Sequence, residues 1–176
     1  MLFYFWPFFS FDFARYVLLD LLILLVYLPG LKRRQSERRL ARQALFRERP
    51  LVSILVPGKN EGKYLEQLTL SLRDQSYRHF ELIVVDDGSD DRTPVLGRRL
   101  LREGLIHQFI CNETRGGKAS AANTALTFSR GRFIVHLDAD SHLAATALED
   151  MVLPFYLDSR VGAVGGDIRV ANSAES

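Results

Sequence analysis

Asp138 and Asp140, which flank the single small residue Ala139, are the residues of this 176-residue chain best suited to chemistry. They directly follow the apolar run FIVHL. At a strand end, two carboxylates so spaced could share a hard divalent cation with phosphate oxygens. Mg²⁺ and Mn²⁺ prefer oxygen ligands and often take only one or two carboxylates. The alternative is structural, since Asp140 could cap the helix that follows.

A second acidic segment, Asp86-Asp87-Gly88, follows the apolar run LIVV. Adjacent side chains of an extended segment point in different directions, so one carboxylate could face a ligand while the other holds the loop. Gly88 permits a tight turn at this point. The alternative is an Asx turn that leads into a helix beginning near Thr93.

Lys118 follows two glycines, Gly116 and Gly117, which would let its ammonium group approach a phosphate. The segment does not fit a P-loop, because Asn112 stands where that loop needs its first glycine and Ala119 stands where it needs Ser or Thr. The pattern therefore indicates a single cation near a phosphate rather than a complete phosphate-binding loop.

The apolar runs between these segments predict the scaffold that positions them. Strands are predicted at residues 51–56, 82–85, 106–111, 133–137, 161–164 and 168–170. Helices are predicted at residues 61–75, from 91 onward, at 119–128 and at 145–156. Strands that alternate with helices are typical of a three-layer α/β domain with a mostly parallel sheet. Ligands bind outside the carboxyl ends of such strands, where the polar segments are expected to meet.

The N-terminal residues have a different composition. Nine of the 19 aromatic residues fall within the first 16 positions, and residues 11–31 are mostly apolar. A membrane-spanning helix needs roughly 20 such residues. Asp12, Arg15 and Asp20 weigh against insertion, since each central charge costs about 2.5–3.5 kcal/mol. We predict a transmembrane helix with an aromatic N-terminus over residues 1–31; the alternative is a buried or interfacial hydrophobic helix.

Residues 32–49 carry eight basic residues and two acidic ones, and they predict a juxtamembrane connector beside anionic lipid headgroups. By the positive-inside rule, this side of the membrane is the cytoplasm, so the sequence predicts a catalytic part facing the cytoplasm at the inner or plasma membrane. Residues 50–176 hold 14 basic and 17 acidic residues, which disfavours nucleic acid as a partner. The single cysteine, Cys111, excludes an internal disulfide framework and a thiolate zinc cluster.

Over about residues 51–172, the chain resembles the nucleotide-sugar half of a family 2 glycosyltransferase with the GT-A fold. It is most similar to membrane-embedded polysaccharide synthases, the group of cellulose, hyaluronan and poly-N-acetylglucosamine synthases. The resemblance implies a three-layer GT-A domain over residues 50–176, incomplete at its C-terminus and preceded by a transmembrane helix. The segments that carry it are LVSILVP with Asn60-Glu61, VVDDGSDD at 84–91, Gly117-Lys118 with Ala122-Asn123, and Asp138-Ala139-Asp140.

The resemblance also implies roles for individual residues. The nucleotide-sugar site would comprise Pro57 and Glu61 lining the nucleotide pocket, Asp87 at the base or ribose, Lys118 near the phosphates, and Asp138. Asp138 and Asp140 would hold Mg²⁺ or Mn²⁺, with Asp140 favoured as the direct ligand. The implied partners are a UDP-sugar donor, a saccharide or lipid-linked acceptor, and the lipid bilayer. The implied activity is inverting sugar transfer in polysaccharide or glycolipid synthesis.

The acceptor side of that reaction is not evident in the sequence. Family members take a carboxylate general base from a later segment, and inverting transfer needs such a base. Asp167 is the one weak candidate here, so we expect a donor-binding part that does not transfer sugar by itself. One alternative is a non-catalytic membrane protein that keeps the fold. Another is a phosphoacceptor receiver domain, disfavoured because no lysine follows Asp140.

Overall fold

The computed structural model describes residues 6–167 of the chain, so the strand predicted at 168–170 lies outside the described residues. The chain forms two units, residues 1–43 and residues 44–176. Helix α1 (Trp6–Glu48) runs through the basic segment without a break. It ends before Pro50, as expected because a proline disfavours helical backbone at the residue that precedes it, and Arg49 takes a φ of 46°.

The membrane-spanning helix predicted over residues 1–31 is not confirmed. Every side chain from residue 13 to residue 25 is exposed in this structure. Among the residues that the structure describes, no helix combines the length and the apolar character needed to cross a membrane. Residues 1–5 of the prediction lie outside the described range.

The second unit has the predicted alternation of strands and helices. Its strands are β1 (Val52–Gly58), β2 (Phe80–Asp86), β3 (Gln108–Cys111) and β4 (Phe133–His136). Its helices are α2 (Gly62–Arg73), α3 (Thr93–Arg102), α4 (Lys118–Thr127) and α5 (Ala147–Leu157). The sheet order is β3-β2-β1-β4, and each neighbouring pair is parallel. The predicted parallel α/β architecture is confirmed.

Side chains alternate between the two faces of the sheet and form two cores, as strand geometry requires. Val52, Ile54 and Val56 of β1 pack in a core with leucines of α2, α3 and α5. Leu55 belongs to the second core, where Ala121 of α4 packs. Helices therefore cover both faces of the sheet, and the domain has the three layers expected from the sequence.

The strand predicted at residues 161–164 is wrong. This segment is irregular, and Val164 is 38% exposed. The backbone N–H of Val161 donates to the carbonyl of Asp158, which makes a turn after α5. A short apolar run becomes a strand only where a neighbouring strand supplies hydrogen-bond partners, and the described strands leave this segment without them.

The topology changes direction at β1. From β1 the chain moves outward through β2 to β3, and it then returns to place β4 on the opposite side of β1. Such a reversal opens a crevice at the carboxyl ends of the two strands around it, where ligands of open α/β sheets bind. The β1–β4 ladder ends at Leu55 and His136, while β1 continues to Gly58. The residues that follow this last pair are therefore expected to line the crevice.

Candidate functional site

The loops after β1 and β2 are joined by hydrogen bonds at the edge of this crevice. Asn60 has a left-handed φ of 62°, which asparagine tolerates better than most residues. Its backbone N–H donates to Ser89 Oγ at 2.8 Å, and its Nδ2 donates to Asp90 Oδ1 at 2.7 Å. The backbone N–H of Asp87 donates to the carbonyl of Gly58 at 2.9 Å. These bonds make one connected rim from the two loops.

Asp86 holds this rim in place. Its side chain is buried, and its Oδ1 accepts hydrogen bonds from the backbone N–H of Ser89 at 3.1 Å and from the hydroxyl of Ser89. These bonds close the turn around Gly88, whose φ of 72° favours glycine. Asp86 therefore stabilises the loop after β2, which is the role that the sequence predicted for one of the two neighbouring aspartates.

Asp87 is also buried, and it holds the loop before α4. Its Oδ1 accepts from Asn112 Nδ2 at 3.2 Å and from the backbone N–H of Gly116 at 2.8 Å, and its Oδ2 accepts from the backbone N–H of Gly117 at 2.7 Å. The hydrogen bond from Gly116, with those from Asn112 and Gly117 and the charge of Arg115, lowers the pKa of Asp87 against the opposing effect of burial. A carboxylate offers about four acceptor positions. The predicted contact with a base or ribose would therefore use the remaining position on Oδ2.

The same loop delivers Lys118 to the crevice. Gly117 has a φ of 88°, which favours glycine, and Lys118 is the first residue of α4. The Nζ atom of Lys118 lies 2.6 Å from Oδ1 of Asp138. The two side chains are 60% and 52% exposed, so this ion pair is open to solvent and to incoming ligands.

Asp138 and Asp140 project from the end of β4 on either side of a buried residue. Ala139 is 3% exposed and belongs to the core, while both carboxylate residues are exposed. The helix-capping alternative for Asp140 is wrong, because α5 begins at Ala147 and its N-cap position is Thr146. Within the described part of the chain, Asp140 makes no hydrogen bond or ion pair, so it is available to a ligand.

Glu61 adds a third carboxylate to this edge. A Cβ atom on residue 58 would lie only 2.6 Å from Cγ of Glu61, which is too close for two carbon atoms. The absence of a side chain at Gly58 therefore leaves room for the side chain of Glu61. Burial, followed by the negative charges of Asp140 and Asp138, raises the pKa of Glu61, and the charges of Lys118 and Lys63 oppose this rise. The structure thus brings Glu61, Lys118, Asp138 and Asp140 into one electrostatic group.

The donor set of this group fits a hard divalent cation. Asp138 and Asp140 supply oxygen ligands of the kind that Mg²⁺ and Mn²⁺ prefer. A positive group, the ammonium of Lys118, already lies against Asp138, so this carboxylate accommodates a cation. Among the described residues, no cluster of three or more His, Cys, Asp or Glu side chains could hold a metal by itself. Two carboxylates with further ligands from phosphate are therefore the arrangement that the residues allow.

Two other residues that the sequence predicted for the site, Pro57 and Asp167, lie outside the group of four charged side chains. Pro57 is buried in β1 and pairs with Val85 of β2. It lies two residues after Leu55, the last residue of β1 that pairs with β4. The N–H group that proline lacks is therefore not needed for the pairing of β1 with β4. Asp167 is exposed in the irregular segment after α5. It is not among the charged groups that act on Glu61, so the structure does not bring Asp167 into the group.

Sequence reasoning did not predict the contacts that hold this site together. Asn112 donates to Asp87, and the hydroxyl of Thr93 accepts from the backbone N–H of Gly62 at 2.8 Å, which ties the start of α2 to the start of α3. The signal that could have found Asn60 is its residue type in a loop, because asparagine is favoured where a loop needs a positive φ. The partners of Asn112 and Thr93 are distant in sequence, so these contacts have no local signal.

The Glu61→Gln variant is expected to be more stable than the wild type at about pH 7, by less than about 1 kcal/mol because the site is partly solvated. Burial and the charges of Asp140 and Asp138 raise the pKa of Glu61 above 4.5. The charged form is therefore disfavoured in the folded chain, and this cost disappears as the pH falls below the unfolded pKa. Thermal unfolding at about pH 7 and about pH 4 measures the effect. A variant that is less stable than the wild type at pH 7 would contradict it.

Residues 53–174 match a family model described as Glycosyl transferase family 2. A UDP-Glc:alpha-D-GlcNAc-diphosphoundecaprenol beta-1,3-glucosyltransferase of Escherichia coli is 32% identical over 123 residues, which are 70% of this chain and 47% of that protein. Hyaluronan synthase of Pasteurella multocida is 32% identical over 115 residues, 65% of this chain and 12% of the synthase. The chain spans less than half the length of the curated relatives that it matches.

Solved structures show the same similarity in three dimensions. A mannosyltransferase from Pyrobaculum calidifontis, in complex with GDP-Man and Mn²⁺, superposes with a TM-score of 0.57 at 32% identity, over 60% of this chain and 32% of that one. Residues 1–349 of TarS from S. aureus, in complex with UDP-GlcNAc, superpose with a TM-score of 0.53 at 30% identity, over 59% of this chain and 30% of that one.

Proposed function

Because this chain belongs to glycosyl transferase family 2, we propose that it binds a nucleotide-diphosphate sugar, specifically a UDP-sugar, at the carboxyl ends of β1, β2 and β4. The observation that carries the proposal is the convergence of Glu61, Lys118, Asp138 and Asp140 at the topological crevice. Sites in open α/β sheets form at this position. The complexes of two similar proteins with UDP-GlcNAc and GDP-Man support a nucleotide sugar as the ligand class.

Asp138 and Asp140 would hold Mg²⁺ or Mn²⁺ beside the diphosphate of the donor. When bound, the cation supplies positive charge that favours departure of the nucleoside diphosphate. Lys118, at the N-terminus of α4, contributes a second positive charge at the same edge. The first backbone N–H groups of a helix also favour an anion. This chain's own residues thus bind and orient the donor phosphates.

The nucleoside is proposed to lie against the rim made by the loops after β1 and β2. Pro57 and Glu61 would line this side of the crevice, and the remaining acceptor position on Oδ2 of Asp87 would accept a hydrogen bond from a base or ribose. Because the loops are joined through Asn60, Ser89 and Asp90, the rim is formed before the nucleotide arrives. A preformed rim lowers the ordering cost of binding.

We propose that the bound sugar is used in polysaccharide or glycolipid synthesis, with a saccharide or lipid-linked acceptor. The names of the similar proteins, a hyaluronan synthase and a diphosphoundecaprenol-dependent glucosyltransferase, support these acceptor classes. General-base assistance to an acceptor hydroxyl is typically worth ~10²–10⁴ in rate. Asp167 remains the candidate for that role from this sequence.

We also propose that residues 1–49 hold the chain at the inner or plasma membrane, with the N-terminus on the outer side and residues 32–176 on the cytoplasmic side. The exposed apolar side chains of residues 13–25 and the eight basic residues of 32–49 support this. Single cysteines placed at Ser10 and at Ser36 in a Cys111→Ser background test it by labelling of intact cells from outside. Position 10 is expected to react and position 36 to be protected. Labelling at position 36 alone would overturn the proposal.

Competition binding tests the nucleotide assignment. The full chain with Mn²⁺ is titrated with a fluorescent UDP derivative, which is then displaced by UDP, GDP, ADP and uridine. UDP is expected to displace the probe at the lowest concentration, and uridine at a concentration at least about tenfold higher because it lacks the charged diphosphate. Equal displacement by UDP and uridine would show that the diphosphate is not bound by Lys118 and by the cation that Asp138 and Asp140 are proposed to hold.

A further inference from the structure

We propose that Lys118 occupies the metal position in the donor-free protein and moves to the donor diphosphate when the donor and the metal bind together. The inference rests on the proposed function and adds to it how binding of the metal depends on binding of the donor. Asp138 is paired with the ammonium of Lys118 before any ligand is present, so a metal cation alone must compete with that ammonium. A metal that arrives with a diphosphate does not, because the diphosphate gives Lys118 a new partner.

The starting state is recorded directly in the structure. Lys118 Nζ lies 2.6 Å from Asp138 Oδ1, a distance typical of a charge-assisted hydrogen bond. Asp138 and Asp140 act on Glu61 by charge repulsion and Lys118 acts on it by attraction, so the four groups lie within electrostatic range of one another. Lys118 therefore holds a position beside Asp138 that a metal cation would also use.

Hydrogen bonds hold the backbone before Lys118 in place, while the side chain of Lys118 is free to rotate. The backbone N–H groups of Gly116 and Gly117 donate to the buried carboxylate of Asp87, which holds the start of α4 in place. The Lys118 side chain is 60% exposed and has freely rotating carbon–carbon bonds. An anchored backbone with a free side chain allows the ammonium to exchange between two nearby anions without any movement of the loop.

The exchange requires little energy to begin. An ion pair between half-exposed groups is only weakly stabilising, so an incoming ligand can replace it. The second anion, the diphosphate, carries more charge than a carboxylate and offers several acceptor oxygens. Metal and donor should consequently bind cooperatively, each raising the affinity for the other by the same factor, as linkage requires.

Calorimetric titration of the full chain with Mn²⁺ alone, and with Mn²⁺ in the presence of UDP, tests the exchange. In Lys118→Gln, the affinity for Mn²⁺ alone is expected to rise about two- to fivefold, because the competing ammonium is gone. The affinity for UDP with Mn²⁺ present is expected to fall about fivefold or more, because the diphosphate loses its partner. Opposite changes in the two affinities distinguish exchange from a general loss of structure, which would weaken both.

Lys63→Gln is the matched control. It removes the same charge from a residue that acts on Glu61 electrostatically, and the contact between Lys118 and Asp138 stays in place. The Mn²⁺ affinity of this variant is expected to rise by less than that of Lys118→Gln. Equal increases in the two variants would overturn the exchange, because long-range repulsion alone would then explain them.

The remaining outcomes separate the exchange from the function on which it rests. Wild-type chain that binds UDP with Mn²⁺, combined with an unchanged or weaker Mn²⁺ affinity in Lys118→Gln, would overturn the exchange and leave the proposed function standing. Failure of the wild type to bind UDP at millimolar concentration with Mn²⁺ would overturn both.

Discussion

Replacing Glu81 with glutamine is expected to lower the free energy of unfolding by about 2–4 kcal/mol at pH 7, since hydrogen bonds to a charged group contribute about 1.5–3 kcal/mol each and are not additive. Glu81 is 1% exposed in β2. Its Oε1 accepts from Ser53 Oγ at 2.6 Å and from the backbone N–H of Arg130 at 2.7 Å, and its Oε2 accepts from Arg130 Nη2 at 2.8 Å. Urea unfolding of the two proteins measures the change.

The pH dependence of this difference identifies its cause. Burial opposes ionisation of Glu81, but the hydrogen bonds from Ser53 and Arg130 and the charge of Arg130 outweigh it and lower the pKa of Glu81 below 4.5. The stabilisation is therefore fully present above the unfolded pKa and is lost as the pH falls through the folded pKa. The wild type and Glu81→Gln should approach equal stability at low pH.

An exposed pair on the same domain provides the control for Glu81. Glu66 of α2 pairs with Arg99 of α3, and their side chains are 56% and 42% exposed. Because exposed pairs contribute about 0–1 kcal/mol, Glu66→Gln should change the unfolding free energy by less than 1 kcal/mol. Similar losses in Glu66→Gln and Glu81→Gln would show that the buried network is not what stabilises the sheet.

The second large effect is expected at the site itself. Asp140→Asn should weaken binding of a UDP-sugar in the presence of Mn²⁺ by roughly 5- to 150-fold, which corresponds to about 1–3 kcal/mol for one charged partner. Asp140 is exposed at the end of β4, next to the buried Ala139 that fixes the backbone. The loss should be much smaller when Mn²⁺ is omitted. Calorimetry with UDP-glucose and UDP-N-acetylglucosamine measures both affinities.

Asp74→Asn makes the same change of charge away from this edge. Asp74 lies at the C-terminal end of α2 and is paired with Arg73 at 3.6 Å. Donor affinity in this variant should match that of the wild type. If Asp140→Asn also binds like the wild type, the role of Asp140 as a metal ligand is wrong.

Hydrophobic pattern was sufficient to predict the parallel α/β architecture, with one strand too many. Runs such as LVSILV and LIVV are short and rich in β-branched residues, and a segment with helical spacing lies between them. They became β1 and β2, which pair in parallel as predicted. The run at residues 161–164 is VGAV, and it did not form a strand. It holds Gly162 and Ala163, two residue types that are depleted in strands. The described strands also leave it without a partner, which is a property of the tertiary structure.

The sequence was sufficient to predict which acidic residues lie at the candidate site, but not which contacts they make. Asp138, Asp140, Glu61 and Lys118 meet as expected because strand ends in a parallel sheet share one edge. The direction of Asp87 could not be predicted, because it depends on the path of the loop at residues 112–117, to which the carboxylate is bonded. The buried network of Glu81 was missed for a similar reason, since its partners Ser53 and Arg130 are distant in sequence.

Calorimetric titration of the full chain with a UDP-sugar, once with Mn²⁺ and once with a chelator, tests the central claim most directly. The crevice between β1 and β4 is proposed to bind the donor through a cation held by Asp138 and Asp140. The affinity with Mn²⁺ should therefore exceed the affinity in chelator by at least about tenfold, the effect of one charged interaction. Equal affinity in the two conditions, or no binding in either, would contradict the account.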